Sequence, residues 1–337
     1  MEKLLLTKSD LKFVPESYIF PSESRPGNAK VPLFETIPVI DLKEEPTKLI
    51  PQIINACKDF GIFQLINHGI GEKLLQDVLE VTKEFFELPA EDKASLFSDD
   101  PRQIFRLYTS IDYMNEQVHY WRIALRHPCP VEEHIQFWPQ KPAKYRELVG
   151  SYSVELRKLS LCILDLIGEG LGLEPGYFRE KTELAAAHLM NMNHYPPCPD
   201  PSLTLGLPKH GDANMITFLL QEMDGLQVLR DEQWFAVKPL PNAFVVNIGY
   251  ILEIVSNGKL KSAEHRVVTN QNVARTTVGS FIYPSFGCQV EPAKVLIDDN
   301  SPPLYREFVF KDFLATFLID TNSKNKSPLE RYMHEQT

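Results

Sequence analysis

Long hydrophobic runs and clusters of basic residues are both missing from this sequence. No stretch of about 18 consecutive apolar residues occurs, which is the length that a membrane-spanning helix needs. Asp and Glu outnumber Lys and Arg by 45 to 35, the formal net charge is −10, and no Lys/Arg-rich run stands out. We therefore expect neither nucleic acid nor a membrane as a partner.

Paired cysteines are missing as well. The five cysteines are odd in number and form no C-x-x-C motif, so the sequence gives no sign of a disulfide framework. The opening MEKLLL contains only three consecutive leucines, too few for the apolar region of a signal peptide. We expect a cytoplasmic, monomeric protein with reduced thiols that acts on a small molecule.

The first part of the chain has mixed patterning after an irregular, proline-bearing arm. Short apolar runs over residues 37–42 and 61–69 predict strands. Apolar residues at helical spacing predict helices over residues 47–60 and 72–88, the second ending before Pro89. Residues 98–140 contain many prolines and aromatic residues and are interpreted as a loop region.

The second part of the chain is dominated by short strand-like runs. The longest helical pattern covers residues 144–171, where two glycines end it. After residue 201 short apolar runs alternate with turn residues, a pattern typical of a sandwich or jelly roll. We expect an α+β fold with a jelly-roll core over residues 151–337 and a mixed helix/strand N-terminal region over residues 1–150 packed around it.

A histidine and an aspartate stand one residue apart at His210 and Asp212, just before a strand-like run. Residues i and i+2 of an extended segment point to the same face, so both side chains could reach one ion. For H-x-D alone, a turn with a hydrogen-bonded aspartate is the simpler interpretation. A third ligand is available at His265, 53 positions after Asp212. Two histidines and one carboxylate leave coordination positions open, as a non-haem Fe(II) site requires.

Arg275 follows ten positions after His265, in the run ARTTVGSF. If residues 275–283 form a strand, Arg275, Thr277 and Phe281 face the same side. A core-facing arginine is costly unless it meets an anion. A carboxylate bound through both arms of the guanidinium group, with the Thr277 hydroxyl nearby, would satisfy it. The far carboxylate of a dicarboxylic 2-oxo acid fits this requirement, and an ordinary structural salt bridge is the alternative.

Conspicuous sequence blocks accompany these residues in chain order: IPVIDL, ACKDFGIFQLINHGI, FFELPAEDK, WPQKPAKYRE, NHYPPCPDP, HGDANMITFLLQ, GLQVL, VVNIG, SNGKLKSAEHRVVT and PPLYR. With them the chain resembles the plant 2-oxoglutarate/Fe(II)-dependent dioxygenases along almost its whole length. Within that family the wording is similar to the hyoscyamine 6-hydroxylase type, which oxidises a tropane alkaloid. The resemblance implies a double-stranded β-helix (jelly-roll) core.

The resemblance also implies roles for individual residues. His210, Asp212 and His265 match the iron ligands of the family. Arg275 and Thr277 match its Arg-x-Ser motif for the cosubstrate, with Thr in place of Ser. Two further residues, Asn193 and Tyr195, match side chains that hydrogen-bond 2-oxoglutarate. The implied cofactors are Fe(II), 2-oxoglutarate and O₂, with ascorbate in support.

Two positions depart from the family pattern. Gly211 lies between the two ligands of the H-x-D motif, where Thr is usual, and Tyr250 follows NIG, where Asp is usual. Neither residue is an expected ligand, so the resemblance still implies activity. Both positions are expected to border the substrate cavity.

Candidates for the substrate pocket are mostly aromatic, as a concave apolar site would need. Plain core packing is the alternative for each aromatic residue among them. Glu116 is the candidate for pairing with the ammonium group of a basic alkaloid. The candidate pocket residues are Phe105, Tyr108, Glu116, Trp121, Phe281 and Tyr305.

The expected reaction is oxidation of an unactivated C–H bond by hydroxylation or epoxide closure, with desaturation and dealkylation left open. The substrate is expected to be a plant specialised metabolite, with a tropane alkaloid such as hyoscyamine first. A phenylpropanoid, a flavonoid or a hormone is the alternative. Two further interpretations remain, a zinc hydrolase using the same three ligands and a non-catalytic receptor.

Overall fold

The computed structural model describes residues 11–100, 102–110, 113, 116–129, 131–322 and 327–334. Its helices are α1 (Pro46–Asp59), α2 (Glu72–Glu87), α3 (Ala90–Lys93), α4 (Val131–His134), α5 (Tyr145–Gly170), α6 (Tyr250–Val255) and α7 (Phe310–Asn322). Its strands are β1 (Val39–Asp41), β2 (Ile62–Ile66), β3 (Arg106–Tyr108), β4 (Ile123–Cys129), β5 (Ala187–Tyr195), β6 (Leu207–His210), β7 (Ile216–Gln221), β8 (Leu226–Arg230), β9 (Gln233–Ala236), β10 (Phe244–Ile248), β11 (His265–Val267), β12 (Arg275–Tyr283), β13 (Gln289–Val290) and β14 (Phe308–Val309).

Two facing sheets form the jelly-roll core. The large sheet has eight strands in the order β1-β2-β10-β7-β12-β5-β4-β3, and the small sheet has four in the order β6-β11-β8-β9. Strands β13 and β14 form a separate hairpin-like pair. The fold class expected from the sequence, α+β with a jelly-roll core, is confirmed.

The two faces of the large sheet have different surroundings. Phe218, Met192 and Val278 belong to the main hydrophobic core, which also contains the apolar faces of α2 and α5. On the opposite face, Ile62 and Val245 pack into a second cluster with residues of β8. That opposite face, here called the inner face, therefore looks toward the small sheet.

The N-terminal part supplies four strands of the large sheet. Strands β1 and β2 pair beside β10 at one edge, and β3 and β4 pair beside β5 at the other. The loop interpretation of residues 98–140 is therefore wrong for β3 and β4. Proline and arginine within these strands hide the alternation of apolar and polar residues that marks most strands. The boundary expected at residue 150 falls inside α5.

The other predicted elements agree with the structure to within a few residues. Helices α1, α2 and α5 lie where helical spacing predicted them. Among the helices that the structure describes, none has the length and apolar character needed to cross a membrane.

Candidate active site

The small sheet brings His210, Asp212 and His265 together. His210 ends β6 and His265 begins β11, and the two residues are direct partners in the antiparallel pairing. The Nε2 atoms of both histidines lie 3.9 Å from Oδ1 of Asp212. One potential ligand atom from each residue lies within 4.8 Å of the other two. This spacing fits three ligands around one metal ion.

Backbone carbonyl groups orient both imidazole rings. Nδ1 of His210 lies 2.9 Å from the Pro208 carbonyl oxygen, and Nδ1 of His265 lies 3.0 Å from that of Ala263. Because a carbonyl oxygen only accepts hydrogen bonds, each Nδ1 carries the proton and each Nε2 keeps its lone pair. Burial and the neighbouring His265 lower the pKa of His210 well below its ordinary value. His210 is therefore neutral near pH 7, the form that binds a metal.

A hydroxyl group orients the carboxylate of Asp212. The Thr217 hydroxyl donates to Oδ2 of Asp212 over 2.6 Å and accepts a hydrogen bond from the Asn214 amide over 2.9 Å. Oδ2 is thereby engaged, and Oδ1 faces the two histidines. The first turn of α6 also holds this segment, since the backbone N–H of Tyr250 donates to the Asp212 carbonyl oxygen over 2.8 Å.

The Thr217 hydroxyl gives the first testable expectation. Thr217→Val keeps the shape of the side chain and removes the donor to Asp212. Loss of such an outer hydrogen bond typically weakens metal binding about 10- to 100-fold, and we expect a loss of that size for Co(II) binding to the metal-free protein by calorimetry. Thr82→Val is the control, because its buried hydroxyl bonds to the Val78 carbonyl within α2. Equal affinities in both variants would contradict a role for Thr217 in orienting the carboxylate.

Arg275 lies on the inner face, and its guanidinium group is buried. Nη2 donates to Oε1 of Gln221 over 2.6 Å, and Nε donates to the Met223 carbonyl oxygen over 3.2 Å. Nη1 is buried and has no hydrogen-bond acceptor among the residues that the structure describes. The side chain is 3% exposed, and burial lowers its pKa from the ordinary value.

Thr277 adds a second buried donor beside Arg275. It is two residues further along β12, and its hydroxyl is likewise buried without a partner in the described part of the chain. A buried donor without an acceptor costs about 1–3 kcal/mol. A carboxylate between Arg275 and Thr277 would remove both costs. The two side chains therefore fit one end of a dicarboxylic acid such as 2-oxoglutarate.

Asn193 and Tyr195 flank this pair on the neighbouring strand. Tyr195 is the direct partner of Arg275, and Asn193 is the direct partner of Thr277, so all four side chains share the inner face. The Tyr195 ring centroid lies 5.2 Å from Cζ of Arg275. The structure thus brings together the four residues expected to hold the cosubstrate. Arg122 joins them, since its Nη1 donates to Oδ1 of Asn193 over 3.3 Å.

Two of the six candidate pocket residues share this face. Phe281 is the direct partner of Thr217, and its ring lies over Gly279, where an added Cβ would come within 2.9 Å of Cε2. The Tyr108 hydroxyl lies 3.4 Å from Oδ1 of Asn191, whose direct partner is Gly279. Both rings therefore lie along the inner face, and Phe281 lies beside Thr217, which holds the carboxylate of Asp212.

The other four candidates have different surroundings. Trp121 donates from Nε1 to the Pro196 carbonyl oxygen and meets Tyr18 edge-on at 5.6 Å. The Tyr305 hydroxyl lies 3.3 Å from Oε1 of Glu253 in α6. Phe105 packs against the main hydrophobic core. None of these contacts involves the inner face, so a role in substrate binding stays a prediction for these three residues.

Glu116 is buried and already has a partner. Its Oε1 lies 2.7 Å from Nδ1 of His119, and its side chain is 3% exposed. Burial raises the pKa of Glu116, while Ser110 and His119 act to lower it. An ammonium group of a substrate would have to compete with His119, and this role also stays a prediction.

Sequence reasoning missed Thr217 and Gln221. Both are polar residues in the apolar run MITFLLQ, spaced four apart and so on one face of β7. That spacing is the signal that could have found them. Arg122 carries no comparable signal, because it lies just before β4 in the region that was interpreted as a loop.

Comparison with known proteins agrees with this arrangement. A profile of the 2OG-Fe(II) oxygenase superfamily matches residues 186–284, and one described as non-haem dioxygenase in morphine synthesis N-terminal matches residues 37–146. The chain is 44% identical over 322 residues to hyoscyamine 6-dioxygenase of Hyoscyamus niger, covering 92% of this chain and 93% of that protein. The chain belongs to the 2OG-Fe(II) oxygenases.

Other relatives of this oxygenase are named for different activities. This chain is 42% identical to flavanone 3-dioxygenase 2 of Oryza sativa subsp. japonica, over 90% of each chain. The solved structure of JOX2 in complex with 2OG, Fe and JA has a TM-score of 0.86 and 32% sequence identity, covering 98% of this chain and 96% of that one. The enzyme is therefore a 2-oxoglutarate-dependent dioxygenase with Fe(II) and 2-oxoglutarate as cofactor and cosubstrate, and the expectation from the sequence is confirmed at this level.

Proposed function

We propose that Nε2 of His210, Nε2 of His265 and Oδ1 of Asp212 hold the Fe(II) of this oxygenase. The observation that carries the proposal is the close approach of these atoms, within 4.8 Å of one another, with both Nδ1 atoms tied to backbone carbonyls. Two nitrogens and one oxygen leave coordination positions open for the cosubstrate and O₂. Zinc hydrolysis by the same ligands has no comparable support, because it gives Arg275 and Thr277 no task.

Arg275 and Thr277 bind the far carboxylate of 2-oxoglutarate in this proposal. When bound, Fe(II) would let O₂ oxidise two molecules together: 2-oxoglutarate would lose carbon dioxide and become succinate, and the remaining oxidising equivalents of O₂ would go to a C–H bond of the substrate. Asn193 and Tyr195 hold the cosubstrate from β5, the strand beside them. Phe281 and Tyr108 exclude water from the inner face and orient the substrate. The C–H bond that they place nearest the metal decides the product, by hydroxylation or epoxide closure.

A small plant specialised metabolite is the proposed substrate, with a tropane-type alkaloid as the first candidate. Its support is the 44% identity to hyoscyamine 6-dioxygenase along nearly the whole of both chains. The aromatic rings of Phe281 and Tyr108 suit a compact apolar body. Glu116 is the carboxylate that would pair with the ammonium group, if it exchanges His119 for the substrate.

Arginine side chains favour a second candidate, a substrate that carries a carboxylate. The Cζ atoms of Arg106, Arg122 and Arg126 lie 4.3, 5.5 and 5.8 Å from the centroid of the Tyr108 ring. Arg122 is 3% exposed, and its Nη2 has no acceptor among the described residues. The positive charges of these three arginines together repel a cation and attract an anion. A screen should therefore include an acid, such as the JA of the JOX2 complex, beside an alkaloid and a flavonoid.

The metal and cosubstrate assignments are tested by anaerobic titration. The metal-free enzyme receives Fe(II) and then 2-oxoglutarate, and the weak visible charge-transfer band of the chelate is followed. We expect the band in the wild type and its loss in Asp212→Ala. A wild-type protein that retains zinc through purification and gives no band would overturn the proposed iron site.

The substrate class is tested by the formation of succinate. A panel containing a tropane base, a flavanone and an oxylipin acid is incubated with Fe(II), 2-oxoglutarate and O₂, with ascorbate to support turnover. Succinate above the level without substrate, together with an oxygenated product by mass spectrometry, identifies the class. Turnover of the tropane base supports the first candidate, and turnover of the acid alone would replace it with the second.

The same proposal includes the physical form of the enzyme. We expect a cytoplasmic monomer, in keeping with the five free cysteines. We also propose that the chain divides by function at residue 150, with the metal and cosubstrate residues on the C-terminal side. Residues 1–150 then contribute the second wall of the pocket through β3 and β4.

A further inference from the structure

Gly211 and Tyr250 lie against each other in the fold. Tyr250 begins α6, and its phenol ring lies across Gly211, the residue between His210 and Asp212. A Cβ atom added to Gly211 would lie 2.5 Å from Cζ and 2.5 Å from the hydroxyl oxygen of Tyr250. Non-bonded carbon atoms pack at about 3.5–4.0 Å. No residue larger than glycine therefore fits at position 211 while the Tyr250 ring is in place.

The lack of space for a side chain, and not the backbone conformation, requires glycine at position 211. Its backbone lies outside the left-handed region, so another residue could adopt the same backbone conformation. The ring that fills the space has little room to withdraw, because Tyr250 is 5% exposed. On its far side the ring centroid lies 6.3 Å from that of Phe317 in α7. The ring is thus enclosed between the Gly211 backbone and the C-terminal helix.

Tyr250 also holds the same segment through its backbone. Its N–H donates to the Asp212 carbonyl oxygen over 2.8 Å, and the next N–H, of Ile251, donates to the Asn214 carbonyl oxygen over 3.2 Å. One residue therefore contacts the segment from 210 to 212 with both its backbone and its side chain.

From these contacts we infer that Tyr250 is a positioning residue for the metal site and forms one unit with Gly211. The ring takes the place of the side chain that position 211 lacks, and it fixes the short segment that separates His210 from Asp212. The inference rests on the proposed function, since it assumes that these two residues bind the metal. Its consequence is that the two positions can change only together.

A double-mutant cycle tests the unit, with Co(II) affinity of the metal-free protein measured by calorimetry. We expect Gly211→Ala to weaken Co(II) binding about tenfold or more, because the methyl group displaces the ring and the ligand segment. Tyr250→Ala is expected to weaken it by a similar factor, because the segment loses its cover. The double variant should bind within about twofold of Tyr250→Ala, since the methyl group then has space. Residues in contact typically show such non-additive effects.

Two further variants separate positioning from general packing. Gly287→Ala is the matched control, because a Cβ there meets nothing within 4 Å, and it should bind Co(II) as the wild type does. Tyr250→Phe keeps the ring and should retain affinity within about threefold. The melting temperature of each metal-free variant is measured in parallel. A fall in melting temperature with unchanged Co(II) affinity would overturn the positioning role.

The remaining outcomes are distinguishable. A wild type that binds no Co(II) would overturn the proposed metal site itself. A wild type that binds, with losses in the two single variants that multiply in the double variant, would overturn the Gly211–Tyr250 unit alone. If Gly211→Ala fails to fold, the double variant decides: we expect it to fold, and its failure to do so would overturn the inference.

Discussion

We expect Asp212→Ala to abolish metal binding and turnover. Asp212 is the one carboxylate among the three side chains that converge, and it supplies the negative charge that offsets a divalent ion. A catalytic metal contributes several kcal/mol to the reaction, and each 1.4 kcal/mol corresponds to a factor of ten. The rate of succinate formation should therefore fall about 1000-fold or more.

The experiment needs a control for the loss of an aspartate as such. Asp165 lies on α5 and pairs with Arg179 at the surface, so Asp165→Ala should keep both metal affinity and rate. Co(II) affinity by calorimetry and succinate formation are measured for both variants. Retention of tight binding by Asp212→Ala would remove this residue from the metal site.

Arg275→Ala has the second largest expected effect, and the effect falls on the cosubstrate. Truncation of one partner of a buried charge pair typically costs about 2–5 kcal/mol, so the KM for 2-oxoglutarate should rise about 30-fold to 4000-fold. The kcat at saturating 2-oxoglutarate should change much less, because the far carboxylate is bound equally in the ground state and the transition state.

Arg275→Lys sharpens this test, because it keeps the charge and loses the two-armed geometry. Its KM for 2-oxoglutarate should lie between those of the wild type and Arg275→Ala. Arg102→Ala serves as the control, since this side chain is exposed and pairs with Asp100. An unchanged KM in Arg275→Ala would falsify the assignment of this residue to the cosubstrate.

Each half of the candidate site was predictable from the sequence because its geometry is local and periodic. His210 and Asp212 are two residues apart in an extended segment, and Arg275 and Thr277 are two apart on one strand, so alternation alone places each pair on one face. The pairing of His210 with His265 needs the fold. From the sequence, only the family resemblance indicated that these two histidines act together.

Substrate-facing residues were harder to predict for a physical reason. Aromatic side chains are equally suited to a core and to a pocket, and composition does not distinguish the two. Trp121 and Tyr108 lie thirteen residues apart in the same aromatic segment, yet one meets Tyr18 in the main core and the other meets Asn191 on the inner face. The direction in which each side chain points decides between them, and the sequence in and around β3 and β4 shows no clear alternation.

The closeness of Gly211 and Tyr250 was also beyond sequence reasoning. The two positions are separated by 39 residues, and each departure looked independent. Their contact exists because α6 starts where β10 ends and its first N–H groups hold the segment after β6. Only the folded chain shows that one departure makes space for the other.

The positions of β2 and β4 in the large sheet bear on how such enzymes can be recombined. Exchange of residues 1–150 for the equivalent piece of a relative would replace the native neighbours of both β10 and β5 at once. Foreign strands that pack less well there would leave two strand edges open to association with other chains. Chimeras that exchange only the loops between strands keep those edges covered. Substrate preference should therefore be transferable in this scaffold by loop grafts, while half-and-half chimeras should accumulate as aggregates.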